Sequence, residues 1–183
     1  MTRKVAIVGV GMARAGKSAV PSWELFTAPA LEAIRDAGLD PGRIEALHLG
    51  NVYSAFTENQ TNMAPLVLST MGMTNNIPCM RYETACASSS VAFRQGYLSI
   101  LSGQYDVVLV GGTERLRGIS GAAVQQAMAT SMDRSERSTG LTFAVYWAYV
   151  AKAYAAKYNI GDAQLQELLA HISAKNYFHG AAN

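Results

Sequence analysis

The sequence predicts a layered α/β domain with a mostly parallel sheet, and three observations carry that expectation. The runs K-V-A-I-V-G-V (4–10) and D-V-V-L-V-G-G (106–112) are continuously apolar and rich in valine, the pattern of strands covered on both faces. Two further strand-like runs lie between them, each separated from the next by a segment of helical period. The order strand, helix, strand, helix, strand, helix, strand needs crossover connections, which favour parallel pairing.

Taken in order, Lys4 to Val10 reads as the opening buried strand, followed by Gly9 and Gly11 where the backbone can turn. Arg14 stands where a dinucleotide fingerprint would need its third glycine, so nucleotide binding is not indicated. Ser22 suits a helix cap, Leu25, Leu31, Ile34 and Ala37 supply the helical spacing, and Gly38 the stop. Asp40-Pro41-Gly42 marks a turn, and Ile44 to Val52 a second strand in which His48 reads as a hydrogen-bonded structural residue. Asn59 to Met71 is a helix closed by Gly72, and its methionines lack any regular ligand spacing. Ile77 to Tyr82 is a short third strand, Val91 to Leu101 a helix, and Asp106 to Gly112 the next buried strand. Beyond Thr113 polar and glycine-rich connections lead to two longer helices, Leu141 to Tyr158 and Asp162 to Lys175. The aromatic stripe of the first of these reads as core packing.

Composition narrows the function classes. The 183 residues, half of them apolar, suffice for a core of ordinary density. Fifteen Lys and Arg against 13 Asp and Glu leave a formal charge of +2, which gives no electrostatic argument for nucleic acid or an anionic membrane. Cys79 and Cys86 form neither a CxxC pair nor a cluster with histidine, so a disulfide framework and a structural zinc site are both unsupported. A reducing, cytoplasmic setting fits that usage. The basic N-terminus with its apolar run superficially suits a signal peptide, but glycines and Arg14 interrupt it. No stretch approaches the roughly twenty apolar residues of a membrane span.

Chemistry concentrates in E-T-A-C-A-S-S-S (83–90), where Cys86 falls between a strand and a helix. A thiol at a helix start meets unpaired backbone N–H groups and the positive end of the helix dipole, both of which favour the attacking thiolate. The same N–H groups can stabilise an oxyanion when a thioester carbon becomes tetrahedral, and Ala85, Ala87 and Ser88 are small enough to admit an acyl group. A free cysteine among small residues is also often simply buried, and the local residues leave both readings open. Cys79, inside a strand pattern, reads as structural.

The run T-A-C-A-S-S-S-V-A-F-R-Q-G, followed by I-L-S-G-Q-Y-D-V-V-L-V-G-G-T-E-R-L, resembles the nucleophile segment and next strand of the thiolases. L-G-N-V before it, and S-T-G-L-T-F, K-Y-N-I and S-A-K-N-Y-F-H-G-A-A-N after it, fit the same family in the same order, closest to the sterol-carrier-type and archaeal group. The resemblance implies the first of two similar α/β halves, with a mostly parallel five-stranded-type sheet in 1–115 and a partial loop domain with following helices in 116–183. It implies Cys86 as the nucleophile, coenzyme A thioesters as substrates with no permanently bound cofactor, and acyl transfer that forms or cleaves 3-ketoacyl-CoA. Gly111 and Gly112 match a close-packed strand end. A homodimer formed partly near Pro78 to Tyr82, a chain supplying the C-terminal half, and a small accessory protein of oligonucleotide-binding-type fold are the implied partners.

Three departures qualify the resemblance. Ser89 stands where relatives commonly carry glycine, and Tyr177, two residues before His179, where many carry histidine. The motifs expected to hold the activating histidine, a second catalytic cysteine and a water-binding Asn or His belong to a second half beyond this chain. The alternatives to an acyltransferase half are therefore a non-catalytic remnant or interaction module on the same fold, and a lyase of that fold.

Overall fold

The computed structural model describes residues 3–73 and 77–182. It divides into two compact units, one ending at Val124 and one beginning at Gln125.

The first unit holds a sheet of three parallel strands, β1 (Ala46–Gly50), β2 (Cys79–Tyr82) and β3 (Val108–Gly112), in the order β2-β1-β3. Leu47 pairs with Cys79 on one side and Leu109 on the other, so β1 is central. Helices α1 (Ser22–Leu25), α2 (Thr27–Asp36) and α4 (Met63–Thr70) accompany the sheet, with the single turn α3 (Ser54–Thr57) between β1 and α4. Helix α5 (Ser88–Leu101) carries the chain from β2 to β3 and packs on all three strands.

Alternation along β1 sorts the layers. Leu47 and Leu49, both fully buried, join Phe26, Ala30 and Ile34 with Met63, Val67 and Leu68 in one core. His48, on the opposite face, turns toward α5. Burying each leucine contributes about 2 kcal/mol of hydrophobic stabilisation, which makes β1 the anchor of the domain. On β3 the two faces are fitted by glycine: a Cβ on Gly96 of α5 would come within 2.5 Å of Val110, and one on Gly111 within 2.5 Å of the Phe26 ring.

Several expectations need correction. The described sheet has three strands where five were expected. Lys4 to Val10 joins no ladder, and Ile7, Val8 and Val10 are 69%, 62% and 67% exposed. At its end the backbone bonds side chains of α2 instead: Val10 N donates to Asp36 Oδ2 at 2.9 Å and, two residues on, Met12 N to Glu32 Oε2 at 3.2 Å. Ser22 is the first residue of α1 rather than its cap; its hydroxyl bonds the Glu58 carboxylate, and Pro21 precedes the helix. Of the four residues that suggested a single helix there, Ile34 alone is fully buried; the buried face is Phe26, Ala30 and Ile34.

The second unit contains α7 (Arg134–Arg137), α8 (Phe143–Lys157) and α9 (Asp162–Gly180), while α6 (Gly121–Ala129) spans the division. The aromatic stripe of α8 is not core: Trp147 is 53% and Tyr149 67% exposed, and only Ala155 is buried. On α9 only Leu165 is buried. Two helices packed on each other can cover one strip apiece, which leaves the remaining apolar residues facing outward.

Candidate functional site

All three strands run the same way, so their carboxyl ends share one edge of the sheet, the edge where ligands gather in open α/β folds. Thr84 to Ser88 forms a tight elbow between β2 and α5 at that edge. Ala87 N donates to Thr84 O and Ser88 N to Ala85 O, both at 3.1 Å. The Ser88 hydroxyl closes the elbow by accepting from Thr84 N at 2.9 Å and donating to Ala85 O at 2.7 Å. Ala85 has φ of +49°, a left-handed conformation that costs a residue with a Cβ on the order of 1 kcal/mol. Cys86 follows that strained residue at the tip of the elbow, and it is exposed.

Glycines bring the elbow close to the sheet. A Cβ on Gly50 would lie 2.6 Å from the Ser89 backbone and hydroxyl, and one on Gly112 would overlap the Ser89 Oγ outright. Bare backbone at both strand ends therefore makes room for Ser89. Gly112 has the close-packed strand-end role expected of it, and the hydroxyl at position 89 is accommodated by its partners.

Cys86 lines a cavity of about 370 Å³ with Gly50, Asn51, Val52, Ser89 and Glu114 among its walls. The Glu114 carboxylate accepts from Val52 N at 2.8 Å and from Tyr53 N at 3.1 Å. Asn51 Nδ2 donates to Thr113 O at 2.9 Å, and Arg81 Nη2 to Val52 O at 2.9 Å. Together these bonds fix the 51–53 turn that walls the cavity. Burial pushes the Glu114 carboxyl above the ordinary carboxylate range; the Val52 and Tyr53 amides and Arg81 act against that, while Glu58 adds to it. Glu58 in turn is held by Arg115 at 3.4 Å and by Ser22 N at 3.0 Å.

Neither Cys79 nor His48 lines this cavity. Cys79 is half-buried within β2, and burial pushes its thiol up, consistent with a structural role. His48 is buried between Tyr82, whose hydroxyl lies 2.9 Å from Nδ1, and Ser99, whose hydroxyl lies 3.3 Å from Nε2. Burial lowers its pKa, so it is a neutral, hydrogen-bonded core residue as expected. Tyr177 is 82% exposed on α9, which also carries His171 and His179. Among the described residues no group of His, Cys, Asp and Glu could hold a metal ion, and no helix is long and apolar enough to cross a membrane. Sequence reasoning missed Glu114, Asn51 and Arg81; the one signal available was the position of Asn51 and Glu114 just past strand ends.

An α/β layer with a cysteine elbow at the carboxyl edge of its sheet defines a class of protein that can present a thiol to a ligand lying across that edge. Within that class the chain belongs to the thiolase family: residues 5–183 match the family model for the thiolase N-terminal domain. An acetyl-CoA acetyltransferase of Methanocaldococcus jannaschii is 34% identical over 160 residues, covering 86% of this chain and 40% of that protein. One of Methanothermobacter thermautotrophicus is 30% identical over 183 residues, covering 99% and 46%. A benzoylsuccinyl-CoA thiolase subunit, BbsB, of Thauera aromatica is 30% identical over 186 residues, covering 100% and 45%. The chain thus spans less than half the length of these relatives.

Proposed function

We propose that this chain is the nucleophile-bearing half of a thiolase-type acyltransferase and that Cys86 carries the acyl group. The reading rests on one observation above the others: within a thiolase-family chain, the exposed Cys86 stands on a strained elbow facing a cavity at the carboxyl edge of a parallel sheet. The thiolate sulfur attacks the thioester carbon of an acyl-CoA, the bond to the coenzyme A sulfur breaks, and the acyl group is left as a thioester on Cys86. Coenzyme A leaves as its thiolate and takes up a proton from solvent. Small neighbours give the acyl group access, and Glu114 keeps the opposite wall in place through the Val52 and Tyr53 amides. Among the described residues of the first unit no histidine lines the cavity, which fits a general base supplied, with the second catalytic cysteine, by polypeptide outside residues 1–183. The exposed edge of β2 is the face proposed for the homodimer.

Incubation with acetyl-CoA followed by intact mass tests the assignment. One acetyl increment is expected on the native chain and on a Cys79→Ser variant, and none on Cys86→Ala. Acetylation that persists in Cys86→Ala would sink the reading.

A further inference from the structure

On its sheet side the cavity beside Cys86 meets a single inserted side chain. Gly50 ends β1 and Gly112 ends β3, so these neighbouring strands finish in bare backbone. Ser89, the second residue of α5, sits in the notch they leave. A Cβ built on Gly50 would lie 2.6 Å from the N, Cα and Oγ of Ser89, and one built on Gly112 would lie 3.3 Å from its Cβ and collide with its Oγ. The Ser89 hydroxymethyl group thus takes the place that side chains of the strand ends would fill. It keeps an exposed face and lines the same cavity as Cys86.

The surrounding walls are poorly able to replace it. Glu114 is engaged by the Val52 and Tyr53 amides, and Asn51 by Thr113 O. The Ser88 hydroxyl is committed within the elbow to Thr84 N and Ala85 O. Behind Ser89 lies glycine backbone held in the β1–β3 ladder, where Gly50 pairs with Gly112. Space vacated at position 89 would therefore stay open, because a void collapses only as far as its neighbours can move.

We infer that Ser89 sets the size of the acyl group that Cys86 accepts, its side chain limiting the depth of the cavity to a short acyl chain. The inference rests on the acylation of Cys86 proposed above. About 370 Å³ has to hold the end of the pantetheine arm, the thioester and the acyl group together. The rest of coenzyme A lies outside and departs through the open side, so the acyl substituent on the same carbon is directed inward, toward the notch. In a closed pocket one methylene too many changes rates by roughly 10- to 200-fold, which makes a single hydroxymethyl group an effective limit.

The test is competition: propionyl-, butyryl- and hexanoyl-CoA are each mixed with equimolar acetyl-CoA, and the ratio of adducts on Cys86 is read by intact mass in a Cys79→Ser background. Both thioesters share one tube, so a general loss of folding or thiol reactivity cancels from the ratio. With the native Ser89 the ratio is expected to favour acetyl increasingly with chain length, by roughly tenfold or more at hexanoyl. Ser89→Gly should move the length at which labelling falls off to a longer chain, lowering the preference over butyryl by roughly tenfold. Ser89→Ala, which keeps the Cβ, should lower it by a smaller factor. A flat series with the native Ser89, or a ratio unchanged in Ser89→Gly, would overturn this inference alone and leave acyl transfer standing. Equal effects of Ser89→Ala and Ser89→Gly would overturn it in favour of a hydrogen bond from the hydroxyl. No adduct from any of the four thioesters would remove the acyl-transfer reading and this inference with it.

Discussion

The two flanks of β3 contrast in how completely this chain finishes them. At the carboxyl end, Gly112, Ser89, Glu114 and the 51–53 turn meet in a polar arrangement whose donors and acceptors come from this chain. Along the outer edge, apolar residues and the unpaired side of β3 line a cavity of about 800 Å³. The contrast teaches that the cysteine elbow is shaped by residues of this chain, whereas the outer edge of β3 has no strand partner among the described residues. Substitutions in the first region should be expensive and those on the exposed Lys4–Val10 segment cheap.

Four measurements would break or sharpen that contrast. Gly112→Ala places a methyl group on the Ser89 hydroxyl, and overpacking of that kind should cost about 3 kcal/mol in urea unfolding; a loss under about 1 kcal/mol would show that the elbow yields. Ser88→Ala removes the acceptor of Thr84 N and the donor to Ala85 O, and should cost about 1.5 kcal/mol by the same assay. His48 should give stability a pH slope. Its folded pKa lies below the unfolded value of about 6.5, so its contribution is present above that pH and is lost as pH falls toward the folded value. The native chain should lose stability between pH 7 and 5, and His48→Asn should flatten that slope. Last, Val8→Thr on the exposed segment should change stability by less than about 0.5 kcal/mol, and a larger loss would mean that the segment is already packed as a strand.

Much of the sheet was legible in the sequence because β1, β2 and β3 are short apolar runs bounded by turns, a pattern with one economical solution. Lys4 to Val10 has the same composition and was read the same way. Whether a run pairs depends on edges that other segments present, and no local pattern records that. The α8 aromatics misled for a related reason: a helical stripe shows which residues share a face and is silent on what covers the face. The position of Cys86 at a strand-to-helix turn could be read because strand, small residues and helix are contiguous around it. Glu114 and Asn51 line the cavity and Arg81 holds the backbone of its 51–53 turn, three residues from separate stretches whose convergence became visible only with the fold.

The topology of the β3 pairing also sets an order of assembly. Helices α3 and α4, strand β2 and helix α5 all intervene between Ala46 and its partner Val108, so this contact closes a long loop and belongs among the slow steps of folding. The cysteine elbow emerges from the ribosome before Gly112 and Glu114 do. Until β3 docks, Cys86 is a thiol on a nascent chain with no cavity behind it, and the late arrival of one strand is what completes the cavity's wall.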